Sequence, residues 1–243
     1  MTNLESIKSL IVSAVLAGVF IAAPLSALSG TQEPKHRLVQ FHMALLKRGP
    51  KWEGTLAAER NRILQQHLAN VLSMLDSGNA VIAGPMRDDT DLVGIFILRA
   101  QSAEEAKTWV DADPSVKSGL FSAEMHPWWS EDIFKKANSP VKMSTVYLGF
   151  LKKGPNRKES DDQVPEIQEL QKAHIANIQR LAKLGKLVVA GPFGDDGILR
   201  GIFVFRVGSL AEAQELCATD PMIKIDRLRV ELHPWNVPEG VLP

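Results

Sequence analysis

Two kinds of periodicity alternate along the chain, and they do so in the same order twice. Apolar, β-rich runs at Leu38–Leu46 and Thr145–Leu151 stop at Gly-Pro steps, so each predicts a strand that ends in a turn. Apolar positions then recur at helical spacing. Ile63, His67, Val71 and Met74 form one stripe, and Leu170, His174, Ile178 and Leu181 form the other. These predict helices over residues 56–77 and 165–184. Gly78 and Gly185 stand where a left-handed C-terminal cap belongs. AVIAGP and LVVAGP, then LVGIFILR and LRGIFVFR, predict two further strands, divided by the turn residues Asp88-Asp89 and Asp195-Asp196. Ser102 with Glu105, and Ser209 with Glu212, fit capping boxes that open a second helix. Those helices are predicted to end near Asp113 and Asp220, because proline disfavours helical geometry in the residue before it. FSAEMHPW and LRVELHPW close each series as a last strand. The order is βαββαβ, twice.

The repetition extends to the residues themselves. Residues 67–129 align without gaps on 174–236 at an offset of 107, and 25 of those 63 positions are identical. AGP, DD, GIF, DP and HPW recur in register, and ALLKRGP (44–50) answers GFLKKGP (149–155) after a two-residue change in length. The chain is a tandem duplication, and a period this long means two domains rather than a solenoid. The expected units are 36–129 and 143–236, joined by a polar linker over 130–142. The fold class is α+β: two tandem ferredoxin-like units, each a split βαβ sheet with both helices on one face. Each sheet keeps one bare face. Two units in one chain can cover each other's, as an intrachain pseudo-dimer, with the space between the sheets as a small-molecule cleft.

The first 29 residues read differently. Lys8 precedes the uncharged run LIVSAVLAGVFIAA, and the small residues of PLSALSG follow. This is the three-part shape of a secretory signal, with cleavage expected after Ala27 or Ser29 and a periplasmic or secreted mature protein. The alternative is an uncleaved anchor, since Ser9 to Leu28 carries no charge and is long enough to span a bilayer. Membrane contact is expected only in that case. Basic and acidic residues balance at 28 each, which argues against a nucleic-acid footprint. The lone cysteine, Cys217, leaves no internal disulfide and no cysteine-based metal framework.

Candidate chemistry concentrates on repeated polar residues. His67 and His174 sit in apolar helical stripes that face the sheet, with Asn70 and Asn177 nearly one turn on. A semi-buried imidazole suits a proton shuttle; the competing reading is a core histidine satisfied by a backbone carbonyl. Asp113 and Asp220 can orient those rings, as a buried carboxylate does in a triad, or serve as ordinary turn residues before proline. Asp88 and Asp195 are rival partners, read first as hairpin-turn residues; His126 and His233 are read as packing residues beside Pro and Trp. No HxH, HxxxH or HExxH spacing supports a metal, and no glycine-rich phosphate loop is present. Cys217 occupies an apolar position without a counterpart thiol and reads as core filler.

On these residues the chain resembles the YCII-related domain family. The resemblance rests on H-x-x-N running to Gly, then V-x-A-G-P, then S-x-x-E-A with D-P, in both copies, over about 38–129 and 145–236. It implies ferredoxin-like units paired into a dimeric α+β barrel, and a His–Asp site that maps onto His67 with Asp113 and His174 with Asp220. The expected function is acid–base chemistry of isomerase, lyase or hydrolase type on a small organic molecule; the alternative is a non-catalytic binding or stress-related module. No cofactor or metal is expected, and homo-oligomerisation is left open. The tandem fusion and the leader depart from the simplest members. N-terminal sequencing of protein from the envelope fraction is expected to start near Leu28 or Gly30; an intact Met1 on cytosolic protein contradicts export.

Overall fold

The computed structural model describes residues 37–243, so the leader read in residues 1–29 lies outside the described residues. Among the described residues no helix is long and apolar enough to cross a membrane. The first copy runs β1 (Leu38–Arg48), α1 (Ala57–Ser77), β2 (Ala80–Pro85), β3 (Leu92–Leu98), α2 (Ala103–Asp111), α3 (Pro114–Lys117) and β4 (Phe121–Glu131). The second runs β5 (Met143–Lys153), α4 (Pro165–Lys183), β6 (Leu187–Pro192), β7 (Leu199–Phe205), α5 (Leu210–Cys217), α6 (Pro221–Lys224) and β8 (Leu228–Pro238). Each copy forms one antiparallel sheet, ordered β2-β3-β1-β4 and β6-β7-β5-β8. Both carry a register shift at the same place, between Leu46 and Lys47 and between Leu151 and Lys152.

The strand pleat sorts each sheet into two apolar faces. On β1, Ala44 and Leu46 join the core beneath the helices, with Ile63, Val71 and Met74 of α1 and Phe96 of β3. Phe41, Met43 and Leu45 point the other way. They meet Val146, Leu148 and Phe150 of β5, with Trp128 and Trp235 fully buried among them. The space between the sheets is therefore packed with side chains, where the sequence led us to expect a cleft. The apolar side chains of each inner face leave water together, and the other sheet is the nearest dry surface.

Local signals behave largely as read. Gly78 closes α1 at φ 81°, where a side chain is strained. The capping serines accept from Glu105 N and Glu212 N, both at 3.1 Å. The glutamates, however, accept from Gln101 N and Gly208 N, one residue ahead of the serine, rather than from the serine's own N–H. The Asp-Pro steps differ more. Chain direction does change there, but Asp113 and Asp220 then cap new helical turns, accepting from Ser115 N and Met222 N at 2.9 Å. Proline at the first helical position has no N–H to leave unpaired, so it starts these turns well. Unit 2 also carries an ionic strap: Arg227, just before β8, is 2% exposed and bonds Asp161 and Asp162 of the longer loop before α4.

Edge strands close the two sheets on each other. β2 runs beside β8 and β4 beside β6, with bridges at Met86–Trp235 and Trp128–Phe193. Arg87 N donates to Pro234 O at 2.8 Å and Gly194 N to Pro127 O at 2.7 Å. Each buried indole donates to the facing glycine carbonyl, Trp235 Nε1 to Gly84 O at 3.0 Å and Trp128 Nε1 to Gly191 O at 3.1 Å. The repeated AGP and HPW blocks are thus two halves of one seam, each meeting the other copy's partner block. The glycine is required by space. A Cβ at Gly84 falls 1.8 Å from Asn236 O, and one at Gly191 falls 1.9 Å from Trp129 O. Both are backbone atoms that cannot swing aside. Gly84→Ala with Gly191→Ala should lower unfolding free energy by more than about 3 kcal/mol, read from urea denaturation, because closure is lost at both seams. An unchanged midpoint contradicts this account.

Candidate functional site

The four residues singled out for chemistry come together in two pairs. α1 presents His67 toward the start of α3, and α4 presents His174 toward α6. His67 Nδ1 lies 2.9 Å from both carboxylate oxygens of Asp113, and His174 Nδ1 lies 2.6 Å from Asp220 Oδ2. Both carboxylates are fully buried. Each ring stacks on a strand phenylalanine, Phe96 at 5.8 Å and Phe203 at 6.1 Å. Those phenylalanines belong to the helix-side cores, so the pairs lie on the outer face of each sheet, away from the space between sheets.

One aspartate does two jobs in each pair. It caps a helical turn and holds the imidazole. The ring donates its Nδ1–H to the carboxylate, which leaves the Nε2 lone pair outward. Among the described residues neither Nε2 finds a hydrogen-bond partner, and neither is among the buried unpartnered side-chain atoms. The His67 side chain is 17% exposed and that of His174 10%. A fixed tautomer with an open nitrogen is the geometry of a proton acceptor.

The two copies differ around this shared element. Asp113 also accepts from Asn70 Nδ2 at 2.8 Å and from the Ser115 hydroxyl. Burial alone pushes Asp113 up, but bonds from His67, Ser115 and Asn70 outweigh it and hold the carboxyl below its ordinary value. In unit 2 Met222 stands where Ser115 does, and Asn177 turns toward Arg180 and Thr219 instead of Asp220. Asn177 Nδ2 is left buried without a partner. Sequence reading had placed Asn70 beside the histidine but gave no sign of Ser115, whose role depends on the capped turn after Asp113.

The other repeated histidines pack as read, His126 against Phe193 and His233 against Phe150, and they also pair with carboxylates. His126 Nδ1 lies 2.6 Å from Asp195 Oδ2 and His233 Nδ1 lies 2.6 Å from Asp88 Oδ2, each aspartate coming from the other copy. Their Nε2 atoms face Glu124 at 3.0 Å and Glu231 at 3.3 Å, which in turn bond Lys47 and Lys152. Those lysines hold both glutamates below the ordinary carboxylate range. Asp88 and Asp195, read as turn residues, therefore clasp the seam. The repeated DD and HPW blocks signalled importance, but a pairing across 145 residues has no local signature. Cys217 is buried and its thiol is pushed up to about 12 by burial and by Asp220, so it is no nucleophile at neutral pH. Among the described residues no group of three or more His, Cys, Asp or Glu could hold a metal ion.

The depressed Asp113 carboxyl has a consequence for stability. It stabilises the fold fully above the unfolded aspartate value, about 3.9, and that contribution is lost as pH falls through the lower folded value. The stability gap between the parent and Asp113→Asn, measured by urea denaturation, should therefore shrink as pH drops from about 6 to about 3. A constant gap across that range contradicts the bonding described.

Among solved structures the chain is similar to a chlorite dismutase from Candidatus Nitrospira defluvii, with TM-score 0.52, 11% identity, and coverage of 82% of this chain and 91% of that one. It is also similar to a haem-binding protein from Thermus thermophilus, with TM-score 0.50, 15% identity, and coverage of 85% and 92%. At such identities the likeness speaks for the dimeric α+β barrel fold alone. A search of curated proteins found no match. The YCII-related domain pattern matches twice, over residues 40–128 and 152–236. With both copies matched, the protein belongs to the YCII-related domain family as a tandem member.

Proposed function

We propose that the protein is an exported small-molecule enzyme whose His67–Asp113 and His174–Asp220 pairs perform acid–base chemistry on the outer face of each unit. The observation that carries this reading is the division of labour on each ring. Nδ1 is tied to a fully buried carboxylate, and Nε2 bonds no protein atom among the described residues. Nε2 can take a proton from a substrate carbon or hydroxyl. The carboxylate then faces an imidazolium and stabilises it. Returning the proton to another atom is isomerisation, and returning it to a leaving group is elimination or water-assisted hydrolysis. Ser115 is fully buried with its hydroxyl on Asp113, so an acyl-enzyme on serine finds no support.

The haem-binding neighbour raises a cofactor question. The space between the sheets does not fit a haem, which needs an open apolar slot with a free axial ligand in it. The space between the sheets is filled by Phe41, Trp128, Phe193 and Trp235. His126 and His233 have both ring nitrogens on carboxylates. A non-catalytic binding module is the second reading, favoured by the shallowness of the depression between α1 and α3, about 320 Å³ and open at the surface.

A turnover screen of small organic substrates should separate the two. His67→Ala with His174→Ala should lose turnover by roughly 10²–10⁴-fold while circular dichroism stays that of the parent. Unchanged turnover sinks the acid–base reading. His→Gln at both positions keeps the ring's volume more closely and guards against a folding defect. Substrate binding without turnover in the parent supports the binding module instead.

A further inference from the structure

We infer that the two His–Asp pairs serve different ligands, and that the pair in unit 1 takes a small organic carboxylate. This rests on the acid–base reading above and adds the substrate class. The depression between α1 and α3 is lined by Arg62, Ile63, Gln66, Pro114, Lys117 and Ser118. Ile63 and Gln66 come from the turn of α1 that precedes His67, and Pro114 follows the aspartate that holds its ring. The depression is therefore bordered by residues that flank both members of the pair in the chain.

Its lining suits an anion on an apolar body. Ile63 and Pro114 supply the apolar floor. The Arg62 guanidinium is held in place by Glu59 at 2.6 and 2.8 Å and by Gln66 Oε1 at 3.2 Å. That arrangement leaves the Gln66 amide N–H group and remaining guanidinium N–H donors for a ligand. Lys117 is exposed and makes no ion pair with any acidic side chain among the described residues. One ammonium without an ion pair among the described residues, one amide and one guanidinium held by Glu59 line a depression that has no carboxylate in its lining.

Unit 2 changes these positions and keeps the histidine. At the same offset, Arg62 becomes Glu169, Gln66 becomes Ala173 and Ser118 becomes Ile225, while Lys117 is matched by Lys224. One charge is reversed, one amide deleted, and a hydroxyl replaced by an isoleucine that is 39% exposed. Asn177 has also swung off Asp220 onto Arg180 and Thr219. The ring and its carboxylate persist while the residues at the mouth diverge, so the two mouths offer different groups to a ligand.

The test uses benzoate, with benzamide as its neutral counterpart, followed by long-range ¹H–¹⁵N spectra of the histidine rings in the full-length mature protein. Benzoate should shift the His67 ring in a saturable titration at concentrations that leave the His174 ring unmoved. Benzamide should bind at least tenfold more weakly. Lys117→Met, at an exposed position, and Arg62→Glu, which installs the unit 2 residue, should each weaken benzoate at least tenfold with the ring spectra of the free protein preserved. Equal response of both rings, no response at His67, or undiminished affinity in Lys117→Met overturns the inference. The outcomes separate from those of the acid–base reading. Turnover lost in the double histidine variant with no benzoate response overturns the anion selectivity alone. Benzoate bound at His67 with turnover unaffected by histidine removal upholds the anion site and overturns the chemistry.

Discussion

Each sheet of this protein has two apolar faces, and its own helices cover only one. Phe41, Met43, Leu45 and Trp128 on one copy, and Val146, Leu148, Phe150 and Trp235 on the other, would stand in water if either copy folded alone. Fully burying a side chain of this size is worth roughly 1.5–3 kcal/mol, so the combined cost of exposing them exceeds the net stability of an ordinary small domain. Everything else in the architecture follows from satisfying that face. The edge strands approach until backbone meets backbone, which admits only glycine at Gly84 and Gly191. The indoles then fill the seam and direct their N–H groups at the glycine carbonyls.

With the inner faces used for cohesion, the His–Asp pairs lie on the outside. The helices on the outer faces bring a histidine from one turn and an aspartate from another into contact. The aspartate is positioned by its capping of the turn that proline opens, so local backbone geometry also fixes the pair's geometry. This explains why Asp113 and Asp220 are buried without being costly: each finds an imidazole and a backbone N–H where it would otherwise lose water.

Much of this was legible in the sequence, for reasons that can be named. The duplication exposed itself because 25 identities in register leave no other reading. Strand and helix order followed from local periodicity and from caps at Gly78, Ser102 and Ser209, all short-range effects. His67 with Asp113 and His174 with Asp220 were legible as candidates because each copy repeated them; their role is still a proposal. What stayed hidden depends on distance along the chain. Asp88 looks like a turn residue until His233 of the other copy arrives beside it. The filled space between the sheets was hidden too, since sequence shows that two faces are apolar but not how closely they pack. The divergence of Asn70 and Asn177 was invisible for a third reason: identical residues took different partners because Arg180 and Thr219, which bond Asn177, stand where the first copy has Ser73 and Ala112.

The seam clasps each link a histidine of one copy to an aspartate of the other, and the linker lies along the C-terminal tail through Lys135 N to Val241 O at 3.0 Å. A pair of separate chains joined this way would dissociate on dilution, at a point set by its binding constant. Here the second copy is tethered, and its effective concentration at the seam is fixed by chain length, on the order of millimolar for a short flexible connection. Assembly is therefore independent of how dilute the protein becomes. The tether also breaks the enforced sameness of a homodimer, in which any change to one outer face appears on both. Covalent fusion lets one surface vary while the other stays as it was.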